Sequence, residues 1–382
     1  MKRQPFFSVL VTLCLAACAA SPAQDGPDGP SPPASRDTSA FAAWLASFRQ
    51  ENAIASLSVV VLRDGEVILE SYLGHQDDEF DLPTTAATTY FVASVTKPIA
   101  GTALFIADET DVFDLDRPVT DAPRWRDSFC QWFPSSGIIF AGATLGDTVI
   151  APFSCDNLTF RHVINMHANG TPGTSFLYNP IAFANLSRAF EDLAPTSFRT
   201  YLHDTVLAPA AMRDTAAGWR DRIRAHVLTD LAMPHAVRDG KLVKQALPDD
   251  DFRAAAGLYM TPLDLARFDR ALDQDALLTA DQRQRMWTPP TRPDGRTSVY
   301  AHGWYVQDLN GERLVWHGGW EPGKYSAIYV KVPSRSVTLI ALANTEGLHW
   351  GNPLTDARVH ESPLVDQFLR EVAGVGSARA SD

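Results

Sequence analysis

Apolar side chains recur at three and four residues over 39–48 (SAFAAWLASF), which predicts an amphipathic helix near the start of the folded part. Two runs rich in branched side chains follow at 57–62 and 67–73. The four residues between them, Arg63-Asp64-Gly65-Glu66, read as a tight hairpin turn. From Ser94 a second helix is expected, ending near Ala107. Residues 121–158 mix Pro, Gly, Trp and two cysteines without a clear period and read as a loop-rich insertion. Short helices are expected over 159–168, 180–192 and 197–207, and 263–272 (LDLARFDRAL) shows a clear helical period. Strands are expected near 302–308, 313–317, 325–332 and 336–343, with a last helix near 363–373. Strands at both ends of the chain around a long helical middle predict an α/β fold of the α+β kind. An antiparallel sheet is built from both ends and flanked by helices, and a mainly helical subdomain over roughly 95–255 is inserted in it.

The first residues follow another pattern. Lys2 and Arg3 precede an apolar stretch, 6–17, too short to span a bilayer. The run Leu15-Ala16-Ala17-Cys18 resembles a bacterial lipobox, whose cysteine is lipidated and becomes the mature N-terminus. Residues 1–18 are therefore expected to be a lipoprotein signal peptide; a plain signal peptide is the alternative. Ala19 after the cysteine favours the periplasmic face of the outer membrane, if the host is Gram-negative. Residues 19–37 are Pro, Gly, Ser and Asp with almost no large apolar side chains, and read as a flexible tether. A single folded domain is expected over 38–376 and a short tail over 377–382.

With 33 Lys and Arg against 45 Asp and Glu, the net charge is −12, and no basic run follows the first three residues. That argues against nucleic acid and anionic membrane surfaces as partners, because both require clustered cations. It leaves a small molecule or short peptide as substrate, membrane contact through the lipid anchor alone, and a monomer. Of four cysteines, Cys14 and Cys18 belong to the leader. Cys130 and Cys155 are a disulfide candidate in an oxidising periplasm, with two buried thiols as the alternative. His162 and His167 are five apart with no glutamate of a metalloprotease pattern between them, and read as helix-surface and cap positions. Neither metal nor cofactor is expected.

The candidate chemistry starts at Ser94-Val95-Thr96-Lys97. On a helix Ser94 and Lys97 share one face, so the hydroxyl gains a basic group within hydrogen-bond reach. At a helix N-terminus, free N–H groups and the positive dipole end favour an oxyanion. Pro172-Gly173 leads into Tyr178, a phenol able to relay a proton if nearby cations lower its pKa. Trp316-His317-Gly318-Gly319-Trp320 joins one strand end to the next, and its two glycines would let a substrate backbone approach closely, or form a simple hairpin turn.

In this order the three motifs resemble the serine β-lactamase and penicillin-binding-protein superfamily. The branch is the class C-type group of D-alanyl-D-alanine carboxypeptidases and β-lactamase-like esterases. The likeness runs from about residue 40 to 345 and includes Thr159 to Gly170, Leu207-Ala208-Pro209, Met212 to Thr215, and Ala255-Ala256-Gly257-Leu258. It implies a β-lactamase/transpeptidase-like fold and a role for each residue. Ser94 is the nucleophile, Lys97 takes its proton, Tyr178 carries a proton to the leaving group, and His317 stands where the family has Lys or His. The backbone N–H groups of Ser94 and Trp320 form the oxyanion hole, one such donor being worth about 3 kcal/mol. Gly318, Gly319 and Asn179 would border the substrate.

Two departures from the family pattern bear on substrate. The family has Tyr-x-Asn, but position 180 is Pro and the asparagine is Asn179. A histidine at 317 replaces a fixed cation that would bind a substrate carboxylate. Both favour small ester or amide hydrolysis first, a D-amino acid peptidase second and a β-lactamase third. The alternative from another class is a catalytically weak protein that holds an envelope peptide in the same cleft.

Overall fold

The computed structural model describes residues 37–376, apart from 78, 80, 137–143, 146–147, 150–152, 250 and 353–355. The expected signal peptide with Cys18, the tether up to residue 36 and the tail lie outside the described residues. In chain order the early strands are β1 (Ser56–Arg63), β2 (Glu66–Asp77), β3 (Leu82–Pro83), β4 (Tyr90–Phe91), β5 (Thr144–Leu145) and β6 (Thr148–Val149). The middle of the chain adds β7 (Thr215–Ala217), β8 (His235–Arg238), β9 (Lys241–Lys244) and β10 (Leu258–Met260). The last five are β11 (Tyr300–Ala301), β12 (Trp304–Leu309), β13 (Glu312–Glu321), β14 (Tyr325–Val332) and β15 (Val337–Ala343).

Eight strands form one antiparallel sheet in the order β11-β12-β13-β14-β15-β1-β2-β3. The two ends of the chain meet where β15 pairs with β1, from Leu57 opposite Ala343 to Arg63 opposite Val337. The β1–β2 hairpin closes on Asp64 and Gly65, both with positive φ, as the turn residues predict. Every residue of β14 and β15 is buried, so helices must cover both faces of the sheet here. The helix Pro262–Asp273, capped by Thr261, packs against β1 and β15. The predicted first helix spans Ser39–Glu51 and meets the helix Pro363–Phe368 through Phe41 and Phe368, ring centroids 6.3 Å apart.

One polar element interrupts this apolar interior. Lys331 on β14 and Asp269 on the helix Pro262–Asp273 form an ion pair with side chains 2% and 1% exposed, and Tyr329 and Thr338 also donate to Asp269. Lys331 also reaches Asp273 at 3.0 Å, so it is removal of the lysine that leaves the buried Asp269 carboxylate without its cation. Lys331→Met is therefore expected to lower unfolding free energy by about 3–5 kcal/mol. Urea denaturation monitored by tryptophan fluorescence measures this; a loss under about 1 kcal/mol, the range of surface pairs, would contradict it.

The expected mainly helical middle of the chain also contains strands. The hairpin β8–β9 and β7 lie within it, β7 pairing with β10 in the three-stranded sheet β4-β10-β7 at its borders, and a helix Ala280–Met286 follows. The described part of the loop-rich stretch contains one wide helical turn, Trp125–Phe129, continued by Cys130–Trp132. Cys130 and Cys155 are joined by a disulfide, with Cα atoms 5.7 Å apart.

Candidate active site

The nucleophile position is set by the small sheet. Val92 N–H donates to the Leu258 carbonyl at 3.1 Å, and Leu258 N–H donates to Thr96 Oγ1 at 3.3 Å. The chain leaves β4 through Ala93, which takes a left-handed φ of +46° that only a well-determined surrounding holds in a residue other than glycine. This bend places Ser94 in a single 3-10 turn, Ala93–Val95, running directly into the helix Thr96–Glu109. The expected start of the helix at Ser94 is thus a tighter turn, and the helix extends two residues past Ala107.

Lys97 Nζ lies 2.8 Å from Ser94 Oγ and also donates to the Ala255 carbonyl at 2.9 Å. Its side chain is fully buried, and burial alone drives its pKa well below the ordinary lysine value, because an ammonium ion is poorly solvated there. A neutral amine keeps a lone pair with which to accept the serine proton. Ser94 also acts on the Tyr178 hydroxyl, where it opposes the rise of that group's pKa. Oγ therefore stands between an amine and a phenol.

Proton relay through Tyr178 was expected only if nearby cations lower its pKa; in the structure its pKa moves the other way. Burial raises it, and the Ser94 side chain only partly opposes this. Lys97 Nζ sits 5.0 Å from the centre of the Tyr178 ring, but as a neutral amine it brings no charge. Tyr178 is a protonated donor, not a phenolate. Its ring stacks on Tyr305 at 6.0 Å and meets Tyr300 edge-on at 6.2 Å.

His317 is buried beside Tyr178, ring centroids 5.9 Å apart, and is absent from the cleft lining. Its Nδ1 lies 2.7 Å from the Gly318 carbonyl, which can only accept, so Nδ1 carries the proton. Nε2 then accepts from the Tyr300 hydroxyl at 3.0 Å. Burial above all holds its pKa well below the usual histidine value, with the Gly318 bond opposing it. The imidazole is neutral with both nitrogens engaged, which suits holding Tyr178 in place.

Asn179 does not border the cleft. Its Oδ1 accepts from Ala182 N–H at 2.9 Å and its Nδ2 donates to Asn169 at 2.9 Å, capping the helix Pro180–Leu193. One residue earlier than the family position, it turns toward the helix end, and Pro180 lines the cleft instead. Lys97 finds its second acceptor in the Ala255 carbonyl.

The His317-Gly318-Gly319-Trp320 run is not a connection between strands but lies inside β13. Strand β12 pairs with β13 only as far as Trp316, so from His317 onward that edge faces the Ser94 turn. Gly319 serves the protein's own packing: a Cβ there would stand 2.3 Å from the Val92 carbonyl oxygen. At Gly318 the closest atom, on Trp350, would be 3.5 Å away, an ordinary contact. Gly319→Ala is accordingly expected to displace the nucleophile turn and lower ester turnover by about 10²-fold. Gly318→Ala should stay within a few fold. Parallel ester kinetics on the two variants check this, and equal effects would refute the close-approach account.

Trp320 forms one wall, its ring stacked on His349 at 4.2 Å and its Nε1 donating to Glu346 at 3.1 Å. With Ser94, Lys97, Tyr178, Trp316 and Trp350 it encloses a cleft of about 280 Å³. Sequence reasoning missed the Ala255 carbonyl, Trp316, Trp350 and the tyrosines behind Tyr178. The aromatic run Tyr300 to Tyr305 was the one available signal. Among the described residues no group of three His, Cys, Asp or Glu could hold a metal ion. His162 completes the cap of the helix Phe160–Ile164, and His167 is buried against Ser298 at 2.7 Å, not at a helix surface.

This geometry agrees with comparison to known proteins. Penicillin-binding protein 4* of Bacillus subtilis (strain 168) is 20% identical over 76% of this chain and 68% of its own length. A D-aminopeptidase of Gluconobacter oxydans (strain 621H) is 25% identical over 69% of this chain, which spans half the length of that relative. Among solved structures, EstCE1, a hydrolase with promiscuous acyltransferase activity, superposes with a TM-score of 0.61 at 16% identity, covering 88% of this chain and 97% of its own. The family model described as Beta-lactamase matches residues 41–362. The chain belongs to the Beta-lactamase family of serine hydrolases.

Proposed function

We propose that this chain is a lipid-anchored hydrolase of the bacterial envelope that cleaves small esters or amides, D-amino acid peptides among them, through an acyl-enzyme on Ser94. One observation carries the reading: Ser94 Oγ is held by Lys97 Nζ at 2.8 Å while burial keeps that amine neutral. Lys97 takes the Oγ proton as Oγ attacks the carbonyl carbon. The N–H groups of Ser94 and Trp320 hold the oxyanion that forms. Tyr178 gives its proton to the departing oxygen or nitrogen and regains one from Lys97. Water then attacks the acyl carbon, passing a proton back through Tyr178, and Ser94 is released with the acid.

Esters and simple amides rank ahead of β-lactams because His317 offers no fixed cation and Asn179 faces away from the substrate. Incubation with p-nitrophenyl acetate followed by intact-mass analysis should show one added acetyl group, mapped to Ser94 by peptide sequencing. A protein that no acylating reagent modifies at Ser94 would instead be the peptide-holding alternative. A penicillin turnover rivalling that of esters would reverse the substrate order.

The envelope location rests on the Leu15-Ala16-Ala17-Cys18 run. Expressed in a Gram-negative host, the full chain should sediment with membranes, and Cys18→Ser should release most of it to the soluble periplasmic fraction. Equal sedimentation of both would remove the anchor.

A further inference from the structure

A second groove, of about 500 Å³, continues from the Ser94 cleft and shares Pro180, Ala255 and Ala256 with it. Two arginines line it, Arg188 on the helix Pro180–Leu193 and Arg253 just before Ala255. Neither has a carboxylate partner among the described residues. Arg188 Nη1 donates to Asn185 Oδ1 at 3.3 Å, and Arg253 Nη1 to the Phe252 carbonyl at 2.9 Å. The nearby acids are paired with other arginines, although Asp251 itself also lines the groove. Glu191 pairs with Arg124 at 3.3 Å and Asp251 with Arg199 at 2.9 Å. The other Asp251 oxygen is buried against Gly218.

We propose that this groove is an anion subsite, in which Arg188 and Arg253 hold a carboxylate carried by the substrate some bonds away from the carbonyl that Ser94 attacks. The proposal rests on the reading of Ser94 as a hydrolytic nucleophile. Guanidinium groups keep their charge at any physiological pH and take up carboxylates through paired N–H donors. Burial and then the Arg253 and Arg124 charges lower the Arg188 pKa, against Glu191, so the two lining cations sense each other. An anion between them relieves that repulsion, and a free ammonium group in the same place is repelled. On the β13 side, where the family pattern would place a fixed cation, stands the neutral His317. Charge recognition has thus moved to the helical side of the nucleophile.

The test compares three esters: p-nitrophenyl pentanoate, mono-p-nitrophenyl glutarate with its carboxylate on the acyl arm, and 3-carboxy-4-nitrophenyl pentanoate with it on the leaving group. The Arg188→Gln/Arg253→Gln variant should lose about 10- to 100-fold in kcat/KM on one carboxylate ester, mainly through KM, the size of a lost charged hydrogen bond. It should keep the neutral ester within twofold, and the ester that responds identifies which arm enters the groove. Unchanged turnover of both carboxylate esters, or an equal loss on all three, overturns the subsite. If the parent protein hydrolyses none of them, the nucleophile reading fails separately. Calorimetric titration of both carboxylate esters into Ser94→Ala, with and without the arginine pair, then decides: weaker binding without it sustains the subsite, and equal binding overturns it.

Discussion

Ser94→Ala is expected to hydrolyse a short p-nitrophenyl ester roughly 10⁴-fold or more slowly than the parent protein, on the scale of nucleophile removal in other serine hydrolases. The substitution deletes the atom that Lys97 Nζ holds at 2.8 Å and whose influence the Tyr178 hydroxyl feels. It leaves the cleft and the candidate oxyanion donors, so the residual rate should remain above that of water alone. Ser94 heads a short turn fixed by Val92, Leu258 and Thr96, so the variant should fold, with a thermal midpoint close to the parent's. Steady-state kinetics on both proteins, purified alike, decide the matter. A variant keeping a tenth of the activity would place the nucleophile elsewhere. Inactivity in both would favour the peptide-holding alternative.

What could be read from the sequence follows a physical division. Elements with long apolar periods, such as the helix Pro262–Asp273, or with explicit turn chemistry, such as Asp64-Gly65, were legible because local preference and tertiary burial agree there. The closure of the sheet by β15 against β1 followed from the order of elements. Strands β4, β7 and β10 have two or three residues each, too few for a period, yet they carry Ser94 and the Ala255 carbonyl to Lys97. Gly318-Gly319 read as a turn or a path for substrate backbone. In the fold Gly319 sits mid-strand because the Val92 carbonyl occupies the space of a side chain. Asn179 was read by its distance from Tyr178, although Asn followed by Pro is also the signature of a helix cap. The signs of the pKa shifts at Lys97 and Tyr178 depend on burial, which no local pattern of residues contains.

Lys97→Met should lower ester turnover by about 10²- to 10⁴-fold, the usual range for a general base. Its effect on pH dependence is more diagnostic than its size. Lys97 is held well below 10.5 by burial, so the rate for the parent protein should rise with pH through that depressed pKa and then level off. Lys97→Arg keeps its charge throughout and should be as inactive as Lys97→Met. Stability follows with a definite sign. Between the depressed folded pKa and the ordinary unfolded one, the unfolded chain holds a proton that the folded chain lacks, so stability from this group rises as pH rises. Below that window both states are protonated and the slope disappears. Denaturation of the parent and of Lys97→Met across about pH 5 to 9 should show the parent gaining relative to the variant toward the alkaline end. A difference that is flat over the whole range, together with activity in Lys97→Arg, would mean Lys97 is a permanent cation. Tyr178 would then have to act as the base, against the direction in which burial moves its pKa.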